Sequence, residues 1–137
     1  MTVRFVDTNI LLYAISRTRA EEKKARIAKE ILEDPNLALS VQVLQEFYVQ
    51  ATRLSRRDRL THDQSARLLE SFLRFRVTEL SVELVRAAVA SCKHYRLSYW
   101  DAAIVEAARF SGCKVLLSED LSHDQDYDGV RVENPFL

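Results

Sequence analysis

Short apolar runs rich in branched side chains recur along this chain, each separated from the next by a longer stretch with helical spacing. The runs are Val3–Val6 (interrupted by Arg4), Leu37–Leu39, Val77–Leu80, Val115–Leu117 and Val130–Val132. Runs this short predict strands, because a helix needs a longer periodic pattern to present one apolar face. Between them, Thr8-Asn9 opens a helix through Ile10–Ala14. A charged helix follows from about Ala20 to Glu33, with Ala25, Ile27, Ala28, Ile31 and Leu32 on its apolar side and Asp34-Pro35-Asn36 as its stop. Ser40 is a good cap for a helix in which Leu44, Phe47, Tyr48 and Ala51 recur at i, i+3, i+4 and i+7. Thr61 and Gln64 form a capping box ahead of Leu68, Leu69, Phe72 and Leu73. Two more helices span Val82 to Tyr95 and, capped by Ser98, Tyr99 to Phe110, the last ending at Gly112. Strands alternating with helices predict a parallel, doubly wound α/β sheet with right-handed crossovers.

The chain's 137 residues fit a single domain over 1–137, and a hydrophobic fraction of 47% is enough for a real core. No run of eighteen apolar residues occurs, and the N-terminus enters a strand pattern almost at once. Neither a membrane span nor a signal peptide is expected. Cys92 and Cys113 lack metal-ligand spacing and read as reduced packing residues, which suits a cytoplasmic location. The formal net charge of zero hides an asymmetry. Residues 1–60 carry eleven Lys/Arg against eight Asp/Glu; the rest carry nine against twelve. Arg53, Arg56, Arg57 and Arg59 form one basic set, and Arg17, Arg19, Lys23, Lys24, Arg26 and Lys29 a second. Basic groups near acids suit a polyanionic substrate; the plainer alternative for the second set is a solvated helix face with i, i+4 pairs.

Four carboxylates stand in otherwise apolar stretches where strands end or helices begin: Asp7, Glu46, Asp101 and Asp120. Taken singly, each has an ordinary structural use. Asp7 can cap the helix at Thr8, Ser98-x-x-Asp101 resembles a capping box, Glu46 can sit on a helix surface, and Glu119-Asp120 can be a solvated turn. Taken together they carry more weight, because sites in open α/β sheets form beyond the carboxyl ends of strands. Clustered acids repel one another, and such a cluster ordinarily persists around a cation. An oxygen-only donor set favours hard ions such as Mg²⁺ or Mn²⁺, and with them metal-assisted phosphoryl chemistry. Thr8 and Ser118 are placed to orient a carboxylate or a water, and Asn9 to hold Asp7 or contact a phosphate.

Phe5-Val6-Asp7-Thr8-Asn9, Gln45-Glu46-Phe47, Ser98-Tyr99-Trp100-Asp101-Ala102 and Leu116-Leu117-Ser118-Glu119-Asp120-Leu121 occur in this order along the chain. In these elements and their spacing the chain resembles the PIN-domain family, and within it the VapC-like toxins of toxin–antitoxin pairs. The resemblance implies a three-layer α/β/α sandwich with a mostly parallel central sheet. It also implies a Mg²⁺-dependent endoribonuclease, with Mn²⁺ as a substitute ion and Asp7, Glu46, Asp101 and Asp120 as catalytic metal ligands. A VapB-like antitoxin and a homodimer are the implied partners. The alternatives within the family are a non-toxin RNA-processing nuclease and a non-catalytic RNA-binding module. One departure stands out: Asp124 follows His123 where similar sequences often carry Gly.

Other phosphoryl chemistries fit less well. An aspartyl phosphatase needs a second Asp two residues after the first, and position 9 is Asn. No Gly-rich phosphate loop exists. The three histidines, His62, His94 and His123, are scattered. Trp100 reads as a buried helix-entry aromatic, with base stacking as the alternative, and strand alternation predicts that Glu119 points away from Asp120.

Overall fold

The computed structural model describes residues 2–137. The chain runs β1 (Arg4–Val6), α1 (Thr8–Ala14), a 3₁₀ turn (Arg19–Glu21), α2 (Glu22–Leu32), β2 (Leu37–Ser40) and α3 (Val41–Thr52). It continues through α4 (His62–Phe72), β3 (Arg76–Thr78), α5 (Val82–Tyr95), α6 (Tyr99–Phe110), β4 (Val115–Leu117), β5 (Asp126–Tyr127) and β6 (Val130–Glu133). The strands form one sheet in the order β3-β2-β1-β4-β6-β5, parallel throughout except for the β5–β6 pair. From β1 the chain steps outward through β2 to β3, then returns past β1 to β4. Right-handed crossovers place the helices of the outward path on one face and α5 and α6 on the other, giving three layers. The contacts agree: α1 packs on α2 and α3, α3 on α4, and α5 on α6.

The core follows from the alternation of apolar residues with this topology. Phe5 pairs in register with Leu116, and Val6 with Leu117, and all four are fully buried. Ile10, Leu11, Val43 and Phe47 cover one face of the sheet and Val105 reaches it from α6, also without exposure. Phe47 meets Phe72 edge to face at 5.1 Å between ring centres, which ties α3 to α4. Truncating such a ring to Ala costs about 3–5 kcal/mol, part lost transfer energy and part cavity.

Three sequence expectations are corrected. The third strand ends at Thr78, and Leu80 is exposed ahead of α5. The helix expected from Ala20 begins as the 3₁₀ turn and becomes α-helical only at Glu22. The edge strand β5 was not expected at all. It joins β6 through Asp128 and Gly129, both in the left-handed region at φ 50° and 101°. Two successive positive φ values suit a tight hairpin turn, and Asp-Gly is a favoured pair for it.

Candidate metal centre

β1 and β4 lie side by side where the order of strands reverses, so the residues that follow them share one end of the sheet. Asp7 stays in register just past β1, donating its N–H to the Leu117 carbonyl at 3.0 Å. It is the N-cap of α1 and accepts from the Thr8 N–H at 2.7 Å, so the capping reading holds without exhausting the residue's role. The Ser118 hydroxyl donates to the other Asp7 oxygen at 2.8 Å and accepts from the Asp120 N–H at 3.1 Å. Asn9 bridges the pair, its amide donating to Asp120 at 3.1 Å and to Asp7 at 3.4 Å. Its oxygen accepts from the Glu119 N–H. Across the cleft, the Thr8 hydroxyl donates to Glu46 at 2.7 Å, and Glu46 projects from the second turn of α3. Asp101 sits in the first turn of α6, where the Ser98 hydroxyl accepts its N–H at 3.1 Å. No returning bond completes a capping box there. Among the described residues, the Asp101 carboxylate accepts no hydrogen bond.

All four acids, with Thr8 and Asn9, line a single cleft of about 360 Å³. Asp7 is buried, and its carboxyl is pushed up from 3.8 to about 7. Burial is the main cause, opposed by the Ser118 and Thr8 hydrogen bonds; the charges of Asp120 and Glu46 raise it further but contribute less. Desolvation of one acid therefore outweighs the mutual repulsion that the sequence suggested. Sequence reasoning missed several neighbours. Glu119 faces the cleft as well, because β4 ends at Leu117 and strand alternation does not extend to it. Its carboxylate accepts from the Tyr13 hydroxyl and pairs with Lys24. Burial would lift the Glu119 carboxyl, yet these two donors hold it below the usual range. Glu21 and Arg56 also line the cleft, both from irregular or short segments that carry no periodic signal. Trp100 is a further correction: it is 62% exposed and stands at the cleft rim with Gln42.

The donors fit a hard divalent cation in kind, being carboxylates with hydroxyl and amide support. They fit in number only with help from other oxygens. Among the described residues, no three His, Cys, Asp or Glu side chains are grouped so as to hold an ion by themselves. Mg²⁺ commonly keeps several waters and takes one or two carboxylates plus substrate phosphate, and the cleft has room for both.

Residues 4–125 match the sequence profile of the PIN domain. No curated protein matches the chain. Among solved structures, a toxin–antitoxin complex from Klebsiella pneumoniae is 25% identical, with a TM-score of 0.69 over 96% of this chain and 97% of that one. VapC20 from Mycobacterium tuberculosis, described as a Sarcin-Ricin loop cleaving toxin, is 18% identical, with a TM-score of 0.66 over 85% and 89%. The DNA-bound VapBC of Salmonella typhimurium is 17% identical, with a TM-score of 0.65 over 98% and 99%. The last two likenesses are of fold.

Proposed function

This chain belongs to the PIN-domain family, and on that premise we propose that it is a divalent-metal-dependent endoribonuclease acting as the toxin of a toxin–antitoxin pair. The observation that carries the reading is the single cleft lined by Asp7, Glu46, Asp101 and Asp120 at the sheet's switch point. With Glu21 and Glu119, six carboxylates face it against one Arg56. A polyanion enters such a cleft only if cations neutralise part of that charge. When bound, Mg²⁺ or Mn²⁺ would supply positive charge to the scissile phosphate and lower the pKa of an attacking water. The protein's own share is orientation: Ser118 and Asn9 fix Asp7 and Asp120, and Thr8 fixes Glu46. Asp101, whose carboxylate accepts no hydrogen bond among the described residues, is the acid best able to take a proton from that water. Trp100 at the rim offers an exposed ring on which a base can stack.

The partners follow from the toxin reading. A VapB-like antitoxin would lay an amphipathic tail across α2 and α3, where α2 carries basic residues on its outer side and Val49 of α3 is exposed. Val82, Val85 and Val89 form an exposed stripe on α5 that favours a homodimer. No helix among the described residues is long and apolar enough to cross a membrane. The test is cleavage of structured RNA by purified protein. Mg²⁺ or Mn²⁺ should support it and EDTA should stop it. Expression alone should arrest growth, and co-expression of a cognate VapB-like antitoxin should relieve the arrest. Harmless expression of an active nuclease would favour the RNA-processing alternative, and metal-independent or absent cleavage would overturn the enzyme.

A further inference from the structure

Beside the acid cleft lies a second cavity, of about 490 Å³, whose wall carries Arg17, Arg19, Arg26 and Lys29 against the single acid Glu22. Glu22, Arg26 and Lys29 fall at i, i+4 and i+7 on α2 and so share one helix face. The plain reading of that face is solvated i, i+4 pairing, Glu22 with Arg26 and Lys29 with Glu33. Neither pair forms a salt bridge. Among the described residues, Arg19, Arg26 and Lys29 have no carboxylate partner, and the ion pair that α2 does make, Lys24 with Glu119, leads into the acid cleft. Positive charge on this face therefore exceeds the single acid Glu22 beside it.

The two cavities adjoin at two points. Ser16 lines the basic groove and donates to Glu21, which lines the cleft, at 2.6 Å. Asp58 accepts the Arg17 N–H at 2.7 Å and lies 3.1 Å from Arg56, which lines the cleft. The Asp58 carboxyl is held below its usual range: burial works against this, and the Arg17 amide and the Arg56 charge prevail. It thus joins the two basic segments that the sequence keeps far apart. Arg56 is anchored there, its Nε ion-paired with Asp58 and its Nη2 donating to the Leu12 carbonyl at 3.4 Å, so its positive charge is held where the groove meets the cleft.

We propose that this groove, with Arg56 at its mouth, holds the backbone phosphates of the RNA strand flanking the bond to be cut. The inference rests on the nuclease reading above and extends it to the path of the substrate. An acidic protein tail is the competing occupant; RNA is favoured because the groove adjoins, through Ser16–Glu21 and Arg17–Asp58–Arg56, the cleft that would receive a phosphodiester.

The experiment neutralises Arg26 and Lys29, both exposed on the helix, as the double variant Arg26→Gln with Lys29→Gln. Arg86→Gln with Lys93→Gln on α5 serves as a control with the same change in net charge. Affinity for a long labelled RNA is measured in EDTA across a salt series, and KM and kcat in Mg²⁺. The groove variant should raise KM about tenfold and flatten the slope of log K against log salt by about 1.4, as for two lost single-strand phosphate contacts. The control should leave the slope unchanged. If the groove variant keeps wild-type affinity and slope while the wild type still cuts RNA, the groove assignment is overturned and the nuclease reading stands. If the slope flattens but the wild type cuts no RNA with either metal, the groove is upheld and the nuclease reading fails. Unchanged RNA binding with lost affinity for a polyglutamate peptide would reassign the groove to an acidic protein segment.

Discussion

At the carboxyl end of the central strands Asp7 accepts hydrogen bonds from Ser118, Asn9 and the Thr8 amide, and Asp120 is tied to the same Asn9, whereas across the cleft Asp101 accepts none and Glu46 is held by Thr8 alone. The strand-borne acids are oriented by the protein. The helix-borne acids are placed by their helices and left available. The difference suggests a division of labour: one side fixes where a cation sits, the other can respond to it and to substrate. It also locates the electrostatic cost, since burial of Asp7 raises its carboxyl to about 7.

The contrast breaks most readily in activity. Asp7→Asn and Asp101→Asn should each lower metal-dependent RNA cleavage by orders of magnitude in single-turnover assays, because an amide is a poor substitute for an anionic ligand. A wild-type rate in Asp101→Asn would mean that the helix side is structural.

Stability against pH comes next. Folding raises the Asp7 carboxyl from 3.8 to about 7, so the folded protein holds that proton more tightly than the unfolded chain. In EDTA its contribution is therefore fully present below about pH 4 and is lost as pH rises through 7, on the order of 4 kcal/mol in all. Asp7→Asn should flatten this decline in urea titrations. An equally steep decline in the variant would place the titrating group elsewhere.

Ser118→Ala sharpens the same contrast. Losing a hydroxyl that orients a ligand should weaken Mn²⁺ binding by about 10–100-fold in calorimetry, with Asp7 still present. Thr8→Val should weaken it less, since only Glu46 is released. The reverse order would make the α3 side the organising one. Saturating metal should also raise the melting temperature. The linkage is about 1.4 kcal/mol at tenfold excess over Kd, or roughly 3–8 °C for a domain of this size.

The order of strands and helices was legible because apolar periodicity reports directly on burial. The acids were legible as a set because β1 and β4 end beside each other at the switch point. Glu119 was misread because alternation was extended past the last strand residue, into a turn. Arg56 was invisible as a cleft residue and Lys24 as the partner of one, since Arg56 reaches back to the Leu12 carbonyl 44 residues away and Lys24 pairs with Glu119 95 residues away. Trp100 was misplaced because an aromatic ring in a first helical turn fits a core and a rim equally well. The odd Asp124 proves interpretable: its φ of 67° is a left-handed position, which explains why Gly is common there. Its side chain instead meets Arg131 and His123 at the surface. Asp124→Gly should therefore stabilise the fold slightly, by roughly 0.5–1 kcal/mol in thermal melts, since an L-residue bears a cost in that region that Gly does not. Destabilisation would show that the surface ion pairs outweigh the backbone.

The central claim is that these four acids share a divalent cation, and anomalous diffraction from crystals soaked in Mn²⁺ tests it most directly. The account predicts one or two peaks in the cleft, with direct ligation by Asp7 or Asp120 and with Asp101 or Glu46 reaching the ion directly or through water. A cleft without Mn²⁺ at saturating concentration, or an ion bound only at a site remote from Asp7, would contradict it.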